Sequence, residues 1–366
     1  MKTTPLQPEH EALGASFTDF GGWQMPVRYA NELAEHHAVR TSAGLFDISH
    51  MAEIRVSGPQ AAEFLDYALV NPSSVIAVTK AKYSLICAEN GGVIDDLIVY
   101  RLADAEFLVV ANAGNREVVA AELQARAANF AGATVVDESD DWALIAIQGP
   151  KSAAILQQVC DQPLADAKYY SILSARVDGV DVLLGRTGYT GEDGFEVFAP
   201  AAAARQIWQL LLATGGSDLT PCGLACRDTL RLEAGMPLYG HELDLEHNPF
   251  EAGFAKVVRL DRDADFVGKA ALEKIASEPI ARRLISIVGE GKRAARQGYE
   301  IFEPGSERAI GVITSGALSP TLGYPVAMGY VDASVSAEVG TKLEVDVRGT
   351  RLEFTVSAAP FYKRSK

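Results

Sequence analysis

The sequence predicts an α+β protein of two or three domains with a separate β-rich domain at its C-terminal end, and three observations predict it. A chain of 366 residues is long for one hydrophobic core at about 150 residues per domain. Its first two thirds mix short strands with amphipathic helices. From "RRLISIVGEG" to "KLEVDVRGTRLEFTVSAAPF" every segment reads as a short strand between Gly, Pro or Ser turns.

Taken in order, "YANELAEHHAVRTSAGLFD" has Asn31 as an N-cap, apolar residues at helical spacing and Gly44 as a terminator. "MAEIRVSGPQAAEFLDYAL" then reads as a strand, a turn and a helix with Pro59 at its first position. "WALIAIQGPKSAAILQQVC" repeats that grammar around Pro150, which hints at two similar sheet-plus-helix units. Between them lie the hairpin "KYSLICAENGGVIDDLIVYRL" and the strand and amphipathic helix of "EFLVVANAGNREVVAAELQARAANF". Strands around "VDVLLGRTGYTGEDGFEVFAP" follow, then helices in "AARQIWQLLLATG" and "GLACRDTLRLEAG". The polar "RLDRDAD" and the helix "FVGKAALEKIASEP" read as a connector to the β-rich end.

Composition narrows the function. At 48% hydrophobic and 22% charged the chain is an ordinary globular protein, and no apolar run approaches the ~20 residues that span a bilayer. The start, "MKTTPLQPEHEALG", has neither signal- nor transit-peptide character, so a cytoplasmic location is expected. A net charge of -15 repels nucleic acid and anionic membranes, so neither is an expected partner, and any anionic ligand needs a local Arg or Lys cluster. Cys87, Cys160, Cys222 and Cys226 lack CxxC spacing, and the last two read as small buried hydrophobes. The six histidines form no HExxH and no ligand pair with cysteine, so no metal is expected. No Ser sits in a GxSxG elbow.

Three stretches carry chemistry. In "NGGVIDDLIVY", Val93, Asp95, Leu97 and Val99 share one strand face and Ile94, Asp96, Ile98 and Tyr100 the other. Whichever face is covered takes an Asp with it, and a buried carboxylate is costly unless paired or hydrogen-bonded. Alternation does not say which; a carboxylate near a hairpin can also simply satisfy turn amides. "RTGYTGEDGFE" lacks the order of a nucleotide loop. If "GFEVFA" is a strand, Glu196 lies opposite Phe195 and Val197, where a fixed carboxylate accepts two parallel hydrogen bonds from an N–H/NH2 edge such as that of a pterin or guanine. A solvent-facing Glu at a strand end is the plainer reading of that stretch alone. In "CGLACRDTLRLEAGMPLYGHE", Arg227 and Arg231 share a helix face; Asp228 can pair with Arg231, and Arg227 is the candidate for an anionic ligand. A solvated surface Arg is the alternative.

The segments "HHAVRTSAGLFDISHM", "GGVIDDLIVY", "TGYTGEDGFE", "GLACRDTLRLEAGMPLYGHE" and "GVITSGALSPTLG", in this order, resemble one family over essentially the whole chain. It is the T-protein of the glycine cleavage system, a tetrahydrofolate-dependent aminomethyltransferase. Departures are small: "GFAKVVRLDR" stands where relatives often carry a Trp, and Cys226 precedes the Arg-Asp pair where a small residue is common. The resemblance implies a three-domain α+β fold around a folate cavity, with a discontinuous first domain (1–50 plus 140–260), a second of 51–139, and a last, a β barrel or jelly roll, of 261–366.

By the same resemblance Glu196 binds the pterin edge, Arg227 helps hold the folate's glutamate end, and Met51, Tyr83, Asn112 and Tyr189 line the ring's pocket. Asp95 becomes the catalytic carboxylate. The implied reaction joins the aminomethyl carbon on the lipoyl arm of the H-protein to tetrahydrofolate, releasing ammonia and leaving 5,10-methylenetetrahydrofolate with the reduced lipoyl arm. Folate supplies the nucleophile, which accounts for the missing Ser or Cys dyad, and the protein supplies position and charge. An acidic H-protein would need a local basic patch, which Arg282, Arg283, Lys292, Arg293, Arg296, Lys363 and Arg364 could form if they are not scattered over the surface.

Two relatives of the resemblance stand as alternatives. A folate-dependent demethylase of the same fold differs in its small-substrate pocket, although the sarcosine and dimethylglycine enzymes need a flavin domain that has no GxGxxG here. A non-enzymatic folate-binding protein of iron-sulfur maturation carries KGCYxGQE, where this chain has "ACRDTLRLEAGMPLYGHE".

Overall fold

The computed structural model describes residues 1–364 and divides into two compact units. The first comprises Met1–Ile86, Asp95–Gly188 and Glu192–Arg227. It holds a hairpin, Ser16–Phe20 with Trp23–Arg28, and two larger sheets. The six-stranded sheet runs Ile172–Val177, Val180–Gly185, Gly194–Pro200, Trp142–Gln148, Ala43–Asp47, Leu219–Pro221. Leu45, Ile145, Ile147, Leu184 and Val197 from it pack in one core with Trp208 and Leu211 of helix Ala204–Gly215. The five-stranded sheet runs Ala81–Cys87, Val93–Ala103, Glu106–Ala111, Ala52–Ser57, Thr134–Asp137.

Local chemistry explains several boundaries. Asn31 caps helix Glu32–Thr41 as expected, its side chain accepting from the Leu33 and Ala34 amides at 2.9 and 3.2 Å. Gly44 does not end that helix, however. It stops at Thr41, and Gly44 lies inside strand Ala43–Asp47.

The two strand, Gly-Pro, helix stretches are alike in three dimensions as well. Gly58 and Gly149 take φ values of +111° and +126°, a region closed to other residues. Each glycine carbonyl then accepts from the amide three residues on, Ala61 and Ser152, at 3.0 Å. Pro59 and Pro150 therefore occupy these turns, and the helices Ala61–Ala68 and Ser152–Gln157 begin two residues later than the sequence suggests.

The second unit comprises Cys87–Ile94, Tyr189–Gly191 and the chain from Asp228 onward. Its centre is a closed barrel in the order Arg282–Gly289, Pro325–Asp332, Ala309–Leu318, Glu300–Phe302, Lys342–Asp346, Arg351–Ser357. The expectation of a barrel or jelly roll is met by a barrel, in which closure leaves no edge strand. Ile285, Ile287, Ile301, Ile313, Val331, Val345 and Phe354 fill its interior. Phe354 is 1% exposed, and truncating such a side chain to Ala costs about 3–5 kcal/mol.

Candidate functional site

Strand Val93–Ala103 carries the carboxylate pair. Asp95, on the face of Leu97 and Val99, is fully buried. Its Oδ2 accepts from the Asn112 amide at 2.9 Å, and its Oδ1 from the side chains of Asn112 and Asn115 at 2.9 and 2.8 Å. Asp96, on the face of Ile98 and Tyr100, is half-buried. It accepts from the Tyr83 hydroxyl at 3.1 Å and from Asn112 Nδ2 at 2.9 Å. The Asn112 amide nitrogen thus lies between two carboxylates, and only NH2 can face acceptors on both sides. Both carboxyls are pushed up from the ordinary range by burial. The Asp96 charge pushes Asp95 further, and the Asn115 and Asn112 donors pull it back. Two like charges one peptide apart share their protons as a pair.

Glu196 lies on Gly194–Pro200, an interior strand whose register sets it between Gly185 and Ala146. It is 8% exposed rather than facing solvent. Thr187 Oγ1 donates to its Oε2, the Tyr100 hydroxyl lies 3.3 Å from the same oxygen, and Tyr100 and Thr187 hydroxyls are 2.7 Å apart. Oε1 makes no hydrogen bond to the described residues. Burial pushes this carboxyl up as well, while Thr187, the Arg227 charge and Tyr100 hold it back. Tyr100 comes from the strand that carries Asp95 and Asp96, so one phenol ties the carboxylate pair's sheet to Glu196.

Arg227, half-buried, stands on helix Leu224–Glu233 near enough for its charge to act on Glu196 and His50. Arg231 is the structural arginine: it is 1% exposed and reaches Asp228 at 2.8 Å, Glu242 at 3.1 Å and Ser315 at 2.8 Å. Met51 follows the buried His50 and is half-buried in a turn closed by its amide on the Ile48 carbonyl. Met51, Tyr83, Asn112, Asp95, Glu196 and Arg227 all belong to the first unit, whereas Tyr189 belongs to the second, where its hydroxyl donates to the Pro237 carbonyl.

Four further groups escape sequence reasoning. Tyr100 carries no signal beyond being polar in an apolar run, and Thr187 none beyond its place in a glycine-rich turn. His50 is pushed down to about 4, by burial first and then by the Arg227 charge, against Asp47. It is therefore neutral, and its Nδ1 has no hydrogen-bond partner among the described residues. Glu53 is 1% exposed, and neither of its carboxyl oxygens has a hydrogen-bond partner among the described residues. Burial raises it well above the usual range, and the Asp137 and Glu196 charges add to that against Arg116. Glu53 alternates with Ala52 and Ile54 as a residue of an exposed face would, so the strand pattern gives no sign of its burial.

In the C-terminal stretch, several expected basic-patch residues are engaged within their own unit. Arg282 meets Glu251 and the Glu246 carbonyl, Arg283 the Ala333 carbonyl, Lys292 the Gly323 carbonyl and Arg296 the Gly316 carbonyl. Among the described residues no group of three or more His, Cys, Asp or Glu is arranged to hold a metal ion. Among the described residues no helix is long and apolar enough to cross a membrane, and all four cysteines are buried thiols.

Residues 6–262 match the family model of the GCVT N-terminal domain, and residues 282–363 that of the glycine cleavage T-protein C-terminal barrel domain. An aminomethyltransferase of Saccharopolyspora erythraea is 55% identical across this whole chain and 99% of its own length. That of Cutibacterium acnes is 53% identical with the same coverage. The crystal structure of glycine cleavage system aminomethyltransferase T from Bartonella henselae superposes with a TM-score of 0.92 at 37% identity, covering 99% of this chain and 98% of that one. On sequence and on fold, the chain belongs to the glycine cleavage T-protein family.

Proposed function

We propose that this protein is the aminomethyltransferase of the glycine cleavage system. It moves the methylene of aminomethyl-lipoyl H-protein to tetrahydrofolate and yields 5,10-methylenetetrahydrofolate, ammonia and dihydrolipoyl H-protein. Family membership supports the reaction class. The observation that carries the reading at the level of residues is Glu196: a buried carboxylate with one oxygen fixed by Thr187 and Tyr100 and the other with no bond to the described residues. That arrangement fits the N–H/NH2 edge of a reduced pterin, which supplies the nucleophilic amine when bound.

The chain's own residues then do three things. Glu196 holds an edge of the ligand and so fixes its rotation, while Arg227 offers a forked donor to a carboxylate. The Asp95 and Asp96 pair supplies negative charge in a site poor in water, where it stabilises a developing cationic carbon more than it would in solvent. Within the pair, Asp95 is covered and saturated by Asn112 and Asn115, and Asp96 is the half-buried member on the face of Tyr100. This favours Asp95 as the group that sets the field and orients Asn112, and Asp96 as the group able to touch the reacting amine. Their raised proton affinity also suits the pair to hold a proton in transit as the amine and thiol leave.

The test is a reconstituted assay in which lipoylated, aminomethyl-loaded H-protein and tetrahydrofolate are mixed with the protein and ammonia is followed. Folate-dependent ammonia release is expected. Absence of release, with turnover of a methylated sulfonium or amine instead, would assign the chain to demethylation.

A further inference from the structure

Two segments, residues 72–82 and 165–171, come close to the carboxylate pair, the first ending one residue before Tyr83, whose hydroxyl donates to Asp96, and this first segment is pinned at many points. Asp66 accepts from the amides of Ser73 and Ser74 at 2.6 and 2.9 Å and from the Ser74 hydroxyl at 2.6 Å. Arg101 donates to the carbonyls of Ser74 and Ile76 at 3.0 and 2.8 Å. A loop held this way presents Val75 to solvent at 66% exposure as a fixed feature.

The two segments are joined through backbone: the Ala81 amide bonds to the Tyr170 carbonyl, and the amide of Ile172, the residue just after the second segment, bonds to the Thr79 carbonyl, both at 3.0 Å. At this junction Thr79 and Tyr170 take φ values of +67° and +59°. A left-handed conformation is costly for a β-branched or bulky residue, and such outliers cluster at functional sites. Val75, Val78 at 38% and Tyr169 at 50% exposure thus stand on two loops that this backbone junction ties into one platform.

That platform leads inward. The Tyr169 ring meets the Tyr170 ring edge-on with centroids 5.0 Å apart. Tyr170 in turn lies within electrostatic reach of both Glu196 and Asp96. Its charge is the reverse of the molecule's: the two segments carry Lys80, Lys82 and Lys168 against the single acid Asp166, in a chain of net charge -15. A cationic, apolar-studded spot on an acidic protein is complementary to an acidic partner that the remaining surface repels.

We propose that residues 72–82 and 165–171 form the docking face for the acidic carrier protein that delivers the lipoyl arm, with Val75, Val78 and Tyr169 as apolar anchors and Lys80 and Lys168 as steering charges. The proposal rests on the aminomethyl-transfer reading above.

Steady-state kinetics on three proteins test it: wild type, Val75→Asp with Tyr169→Asp, and Lys80→Glu with Lys168→Glu. Each is assayed with aminomethyl-loaded carrier protein and with free aminomethyl-lipoamide. The expected result is a KM for the carrier raised about tenfold or more, equivalent to about 1.4 kcal/mol, with kcat/KM for free aminomethyl-lipoamide unchanged. The charge variant should also lose most of the salt dependence of the carrier reaction. Carrier KM values within about twofold of wild type in both variants would overturn the docking face and leave the reaction intact. The same kinetics with a dimer turned to monomer by the Val75 variant, read by light scattering, would reassign the face to a second copy of the chain. A wild type inactive even on free aminomethyl-lipoamide would overturn the aminomethyl-transfer reading and the docking face with it.

Discussion

The Tyr100 hydroxyl lies 3.3 Å from Glu196 Oε2 and joins the strand of the Asp95 and Asp96 pair to the carboxylate proposed to read the pterin edge. Tyr100 is itself fully buried, and its proton is held tightly by burial and by the neighbouring Glu196 charge.

Replacing it tests that link. Tyr100→Phe removes one of the two donors to Oε2 and keeps the ring, so tetrahydrofolate should bind about 5- to 10-fold more weakly, the effect of roughly 1–1.5 kcal/mol for one lost hydrogen bond. The loss should deepen at low pH, because Tyr100 is among the groups that hold the Glu196 carboxyl down. Fluorescence titration of folate binding from pH 6 to 8 measures it; an unchanged Kd would remove Glu196 from the pterin edge.

Asp96→Asn should raise the barrier by roughly 2–4 kcal/mol if the group acts electrostatically on the reacting carbon, with folate affinity little altered. Asp95→Asn should also slow turnover more than it weakens binding. In addition, losing one of two like charges should shift the acid limb of the kcat/KM profile to lower pH. Equal losses in kcat and in folate affinity for both variants would make the pair a wall of the pocket and nothing more.

Glu53 carries a stability prediction with a definite sign. Its proton affinity in the fold is raised, so its contribution is fully present below the unfolded carboxyl's pKa and is lost as pH rises through the folded value. Glu53→Gln should therefore leave the apparent Tm unchanged near pH 4 and raise it at pH 8 by about 2–4 °C, the shift expected for ~1 kcal/mol. Thermal melts at the two pH values decide it. A variant less stable at pH 8 would mean that Glu53 is ionised and paired.

His50 behaves in the opposite sense. Its folded pKa, pushed down to about 4, lies below the unfolded value, so the stability it contributes is present above the unfolded pKa and falls away as pH drops toward 4. Substitution by Gln should flatten the acid side of the stability curve between about pH 6.5 and pH 4. NMR titration of the imidazole checks the premise: a His50 midpoint above 6 would contradict it.

Much of the architecture was legible because it depends on neighbours in sequence. Asn31 announces a helix start because an Asn side chain reaches the amides two and three residues on. The Gly-Pro pairs announce turns because φ is set locally, although the turns push both helix starts two residues further than expected. The strands of the barrel show in the turn spacing of the last stretch, and the five motifs in order pointed to the family.

What local pattern could not settle is which side of a strand is covered. Period-two alternation separates Asp95 from Asp96 and predicts that one is buried, but the cover comes from Asn112 and Asn115, residues brought in by the next strand and the turn after it. Glu196 looked like a strand-end carboxylate because nothing adjacent in sequence hides it, and its partner Tyr100 is 96 residues away. Burial of a charge is a property of long-range packing, so the order of residues settles which groups are available. Which of them lose their water, and therefore acquire an altered affinity for a proton or a ligand, is set by the folded chain.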